Sequence, residues 1–252
     1  MMLKLLILGG TAQAAQLAER LGGDGRFAVT YSLAGRTEAP RLPPVATRIG
    51  GFGGAEGLAA YLRDQAIDVL IDATHPFAER ISANARAAAG ASLIVLRREP
   101  WKPTPEDRWT EVASLEAAAS ALPVQPSRVF LTVGRQSLVP FAARPEHHYV
   151  IRVIDPPVIP PGMDKVDILV GRGPFQLTDE IALMRQQRIA CLVTKNSGGE
   201  AAFAKIEAAR ALGLPVILVA PPEAIGAEAF GTIGEVVEEL ERRHGALANR
   251  SV

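Results

Sequence analysis

Short apolar runs alternate with segments of helical spacing along the chain, and most of the runs end in glycine or a polar loop. The first run, 3–8, breaks into Gly9-Gly10-Thr11, and positions 12–21 follow with Ala15, Leu17, Ala18 and Leu21 at helical spacing. The same alternation predicts strands over 27–32, 47–49, 69–73 and 92–96 and helices over 55–65 and 78–89. Strand and helix alternating at this period imply a parallel sheet with right-handed crossovers, whose carboxyl edge gathers the ligand-binding loops.

A second series gives strands over 129–133, 149–154, 167–170, 191–193 and 215–219. Helices are expected over 178–187, with Thr178 as N-cap, after the loop that ends at Gly199, and over 233–243. The stretch 97–128 is charged and proline-containing, with a small-residue helix over 114–121. The expected fold is α/β, with two Rossmann-like parallel-sheet domains, 1–98 and 128–252, a connector 99–127, and a ligand cleft between the domains.

Composition narrows the function classes. Lys+Arg and Asp+Glu both number 27, so no nucleic-acid surface or basic membrane patch is expected. Hydrophobic residues make up 48% and aromatics 5%, as suits a core of Ala, Val, Leu and Ile. A single cysteine, Cys191, excludes an internal disulfide framework and a cysteine-based zinc site, and reads as a buried strand thiol. No apolar run reaches the ~18 residues of a membrane span, and the start is too short for a signal peptide, so a soluble cytoplasmic protein is expected.

Gly9-Gly10-Thr11-Ala12-Gln13-Ala14 sits between a strand and a helix, the context of a dinucleotide fingerprint. Thr11 takes the second glycine position and Ala14 the third, so the turn reads either as a phosphate loop or as a tight turn without a ligand. After the second strand come Ser32-Leu33-Ala34-Gly35-Arg36, with no carboxylate before Glu38. Serine and arginine suit a ribose 2′-phosphate better than a free hydroxyl, which favours NADP(H) over NAD(H). Arg36 also reads as a solvated loop arginine. Thr74-His75-Pro76-Phe77 follows the fourth strand. His75 could contact the cofactor, transfer a proton or serve structure alone, and Asp72 is expected to anchor the turn.

In the second half, Thr194-Lys195-Asn196-Ser197-Gly198-Gly199 packs a lysine, an amide, two hydroxyls and two glycines into one loop. Arg135, Arg172 and Lys195 each follow a predicted strand. Gathered at one sheet edge they would suit a substrate with several carboxylates; apart, they are solvated loop charges. The pair His147-His148 reads as surface. No HExxH, paired-carboxylate or GxSxG motif supports a metalloprotease or hydrolase.

The segments ILGGTAQA, DATHPFAERISANA, LRREPW, LTVGRQ, RGPF and LVTKNSGGEAAFAKIEAARALGLPVILV, in this order, resemble the precorrin-6A reductase family of cobalamin biosynthesis. The resemblance implies two Rossmann-like domains and reduction of a corrin-precursor macrocycle by hydride from NADPH, without flavin or metal. Gly9, Gly10 and Thr11 would then take the pyrophosphate, and Ser32 with Arg36 the 2′-phosphate. Gly51, Thr74 and His75 would border the nicotinamide. Arg135, Arg172, Lys195, Ser197 and Gly198 would hold the tetrapyrrole carboxylates, with Lys195 and His75 as candidates for proton delivery. The expected partner is the tetrapyrrole alone, for a monomer that engages no nucleic acid or membrane, with channelling to neighbouring pathway enzymes left open. Two alternatives also remain open: an NADP-dependent reductase of another small anionic substrate, and a non-catalytic dinucleotide-binding sensor. Whether the substrate carries cobalt, and whether the domains exchange a strand, is not decided at this level.

Overall fold

The computed structural model describes residues 2–35, 40, 42–222 and 228–250. In β1 (Leu3–Leu8) alternate side chains enter two different cores, as the period of a strand requires. Leu3, Leu5 and Ile7 pack with α1 (Ala12–Gly22) and with Val236, Val237 and Leu240 of α7 (Ile233–Arg250). Leu6 and Leu8 pack on the other face against Leu58 and Leu62 of α2 (Ala55–Asp64) and Ala85 of α3 (Glu79–Ala89). A strand covered on both faces reads as a nearly continuous apolar run, interrupted here only by exposed Lys4, which is why 3–8 is so legible. The buried face of α1 is Ala14, Leu17, Ala18 and Leu21, with Ala14 in the place expected for Ala15.

The other strands are β2 (Phe27–Leu33), β3 (Ala46–Ile49), β4 (Val69–Asp72), β5 (Leu93–Leu96), β6 (Trp109–Val112) and β7 (Arg128–Thr132). They continue with β8 (His148–Val153), β9 (Val166–Val170), β10 (Cys191–Lys195), β11 (Val216–Val219) and β12 (Glu228–Phe230). Two six-stranded sheets form, ordered β12-β5-β4-β1-β2-β3 and β6-β11-β10-β7-β8-β9. The pairings are parallel throughout. Each order is that of a doubly wound dinucleotide-binding sheet. The second is covered by α4 (Leu115–Ser120), α5 (Leu177–Gln186) and α6 (Ala204–Ala211), with Phe130, Val150, Leu192 and Leu218 packed among Met184, Ile206 and Ala209.

The sixth strand of each sheet comes from across the chain. After β5 the chain runs to β6, which pairs with β11 in the second sheet, and after β11 it returns as β12, which pairs with β5 in the first. The compact units are therefore Met1–Arg98 with Pro222–Val252, and Glu99–Pro221. This differs from the expected division: 99–127 supplies an edge strand and a helix rather than a connector, and 222–252 belongs with the first sheet. The signals were weak because β6 is a partly exposed edge strand and β12 has 3 residues. A second difference is at α5, which begins at Leu177 behind an N-cap Gln176, leaving Thr178 inside the first turn.

His147 overturns the expected surface pair. It is 1% exposed; its Nδ1 accepts the Ser127 N–H at 3.2 Å, and its Nε2, 3.5 Å from Glu146 Oε1, has no hydrogen-bond partner. Burial pushes its pKa below the ordinary 6.5, against the opposing pull of Glu146. The unfolded chain then takes up a proton before the folded one does as pH falls. The stability tied to neutral His147 is full above 6.5 and is lost as pH drops through the depressed folded value. We expect the urea midpoint to fall between about pH 7 and about pH 5, with a shallower fall in His147→Gln. Equal slopes in the two proteins would remove His147 as the cause.

Candidate functional site

In each sheet the strand order reverses beside the first strand of its series, and ligands of doubly wound folds bind at that point. In the first unit it lies between β1 and β4, where 9–11 faces 73–77. Thr11 Oγ1 ties the two loops together. It accepts the Ala14 N–H at 3.0 Å, capping α1, and donates to Ala73 O at 2.9 Å. A hydroxyl has one proton to give, so donation to a phosphate would cost the Ala73 bond. The Gly10 N–H donates to Tyr31 Oη at 3.1 Å, and a Cβ on Gly9 would stand 2.2 Å from the Tyr31 ring. Tyr31 is buried, and burial raises its phenol pKa. The Gly9-Gly10 pair is thus the seat of a tyrosine ring, and the amides at the start of α1 are what the turn has for an anion.

A cavity of about 690 Å³ opens at this edge. Of the residues named from sequence, Gly9, Ser32, Gly51, Thr74 and His75 line it, whereas Gly10 and Thr11 do not. Arg36 lies outside the described residues. One wall is a glycine loop that the phosphate motif did not predict, Gly50-Gly51-Phe52-Gly53-Gly54, which leads into α2, and the other is the segment from Thr74 to Asn84. Gly53 and Gly54 have φ of +80° and +106°, conformations that L side chains rarely adopt, and a Cβ on either would meet nothing within 4 Å. Gly54 gives α2 no side-chain cap, so first-turn amides remain for an anionic ligand.

Arg48, at the end of β3, escaped the sequence reading. Its Nη1 donates to Ser32 Oγ at 2.8 Å and Gly50 O at 3.0 Å, its Nη2 to Gly51 O at 3.1 Å, and its guanidinium lies 3.8 Å from the Phe52 ring centroid. Across the cavity, buried Asp72 accepts the Thr74 hydroxyl at 2.6 Å and the Thr74 N–H at 3.1 Å, the anchoring role expected for it. His75 is exposed, and its Nδ1 accepts the Phe77 N–H at 3.3 Å, which leaves Nε2 to carry the proton of the neutral ring.

In the second unit the reversal falls between β7 and β10. Lys195 ends β10, and its Nζ donates to Ser137 Oγ, in the turn after β7, at 2.7 Å. Arg135 stands in that same turn and pairs with Asp155 at 3.9 Å. Arg172 is exposed and follows β9, two strands beyond β7, roughly 10 Å away at ordinary strand spacing. The fold thus brings Lys195 and Arg135 to neighbouring strand ends and sets Arg172 further along the same carboxyl edge. Ser197 is buried, its N–H donating to Lys195 O at 2.9 Å, and Gly198 holds the following turn at φ +64°.

Asn196 has a structural task. Its Oδ1 accepts the Trp101 N–H at 2.8 Å, its Nδ2 donates to Trp101 O at 3.0 Å, and the Trp101 indole N–H donates to Gly199 O at 2.9 Å. The segment around Trp101 therefore docks on the loop and fixes its course. Arg152 does the same for the 171–175 loop. It pairs with buried Glu180, and its guanidinium lies 3.8 Å from the Phe175 ring centroid.

Two doubly wound α/β units, one with a cavity at its switch point and the other with cations at its own, define the class: a Rossmann-like nucleotide-type fold. The chain belongs to the precorrin-6x reductase CbiJ/CobK family, whose model matches residues 4–241. It is 48% identical over 240 residues to a precorrin-6A reductase from Sinorhizobium sp., covering 94% of this chain and 92% of that one. A solved structure described as CobK precorrin-6A reductase matches with a TM-score of 0.91 at 46% identity, covering 97% of this chain and 98% of the other. A cobalt-precorrin-6A reductase from Methanothermobacter thermautotrophicus is 30% identical, covering 94% of this chain and 83% of that one. No helix among the described residues is long and apolar enough to cross a membrane.

Proposed function

We propose that this chain is a precorrin-6A reductase of cobalamin biosynthesis that uses NADPH to form precorrin-6B. The observation that carries the reading is its likeness, over nearly the full length, to precorrin-6A reductases. The first-unit cavity is the place for the cofactor. Its open glycine loop and uncapped α2 fit a phosphorylated nucleotide; Thr74 and His75 would border the nicotinamide, whereas Gly51, bonded to Arg48, would stand at the ribose end. NADPH, when bound, supplies hydride. One C=C or C=N unit of the macrocycle gains that hydride and a proton, and the nicotinamide is oxidised. Lys195 or the His75 Nε2 would hold the proton. Arg135, Arg172 and Lys195 would bind the acetate and propionate arms, with Ser197 and Gly198 shaping the loop around them. Positioning and charge then carry much of the catalysis. The wide gap in identity favours the cobalt-free macrocycle as substrate.

Purified protein mixed with NADPH and precorrin-6A should show loss of nicotinamide absorbance that depends on the tetrapyrrole, faster than with the cobalt form. No loss with either tetrapyrrole would sink the reading, and a faster reaction with the cobalt form would reverse the substrate assignment.

A further inference from the structure

Arg48, which no loop motif predicted and which the hydride transfer does not use, is held against the wall of the first-unit cavity. We propose that Arg48 is the specificity residue that selects a 2′-phosphorylated adenine nucleotide over its unphosphorylated form. The inference rests on the NADPH reading and deepens it.

Position comes first. In a dinucleotide unit the ribose 2′ position is read at the end of the second strand, where a carboxylate marks NAD. Here that end carries Ser32, and the group joined to Ser32 Oγ is the Arg48 guanidinium, reaching over from β3. Its hydrogen-bond partners Ser32, Gly50 and Gly51 and the nearer of its two ring partners, Phe52, line the cavity, while the other ring, Tyr61, does not.

Charge comes second. The three acceptors that hold Arg48 are a hydroxyl and two carbonyls, all neutral, and no carboxylate pairs with it among the described residues. Those bonds use three of the five guanidinium N–H groups, leaving the Nε–H and one Nη2–H unengaged among the described residues. A half-buried cation held rigid on an aromatic face with two donors to spare is prepared for an anion, and the guanidinium fork matches phosphate oxygens. Because the plane is already fixed, little side-chain entropy remains to be lost on binding.

The test is calorimetric binding of NADPH and of NADH, without tetrapyrrole, to the wild type, Arg48→Gln and Arg48→Lys. The wild type should prefer NADPH. Arg48→Gln should weaken NADPH by about 10–100-fold and leave NADH within about twofold, the scale of lost hydrogen bonds to a charged group. Arg48→Lys should fall between the two in preference. It serves alone if the glutamine variant folds poorly, and a lysine variant with wild-type preference then counts against the proposal. Equal weakening of both nucleotides, the result expected if Arg48 only holds the cavity wall, overturns it, as does no change in either. Wild type that binds neither nucleotide would overturn the cofactor reading itself, a result distinct from an unaltered preference in the variants.

Discussion

Replacing Lys195 by alanine is expected to lower kcat/KM for tetrapyrrole reduction by about 10²–10³-fold while leaving NADPH binding within about twofold. Lys195 closes β10 at the switch point of the second sheet, and its Nζ is pinned 2.7 Å from buried Ser137 Oγ. A fixed ammonium group can bind a carboxylate arm, deliver a proton, or both, and each loss falls on the tetrapyrrole alone. The first-unit cavity contains none of these atoms. Lys195→Arg separates the two roles: it keeps the charge and should restore KM more than kcat if the lysine proton is transferred. Calorimetry with NADPH beside steady-state kinetics reads both halves. Weakening of NADPH by the same factor as kcat/KM would show that the division of labour is wrong.

Glu180→Ala is expected to cost about 3–5 kcal/mol of stability in the second unit, the scale for leaving a buried charge without its partner. Glu180 is 1% exposed and the Arg152 side chain 9%, and they pair directly beneath the 171–175 loop. Glu180 Oε2 has no hydrogen-bond partner, so the pair is a costly arrangement even when intact. Removing both charges with apolar residues of similar size, as in Arg152→Met with Glu180→Leu, should recover much of the loss. Both tryptophans, Trp101 and Trp109, belong to the second unit, so their fluorescence during urea unfolding reports on it. An unchanged midpoint in Glu180→Ala would count against the pair as a keystone. Because Arg152 also stacks on Phe175, the single variant should raise KM for the tetrapyrrole through the loop that presents Arg172.

The core strands were legible because their cause is local. A strand covered on both faces is apolar along nearly all its length, here broken only by exposed Lys4, and 3–8 matches β1 residue for residue. Lys195, His75, Ser32 and Thr74 could be named for a related reason, since a short polar stretch after such a strand falls at the carboxyl edge. Partners were not legible. The hydroxyl of Thr11 is spent on Ala73, 62 residues away, and Asn196 is spent on Trp101, 95 residues away. No local pattern records either bond. Arg48 hid for the same reason: in sequence it is one charged residue in a short edge strand, and only the pairing of β3 with β2 brings it to Ser32.

By itself, then, the sequence determined the two parallel series, the family, and the carboxyl-edge positions of the cations. Periodicity, loop chemistry and motif order are properties of neighbours along the chain. Only the tertiary structure decided that each sheet takes its sixth strand from across the chain, that the Gly9-Gly10 turn seats Tyr31, and that the open glycine loop is 50–54. Those outcomes depend on which edges and side chains meet after folding, and such contacts leave almost no mark on local composition.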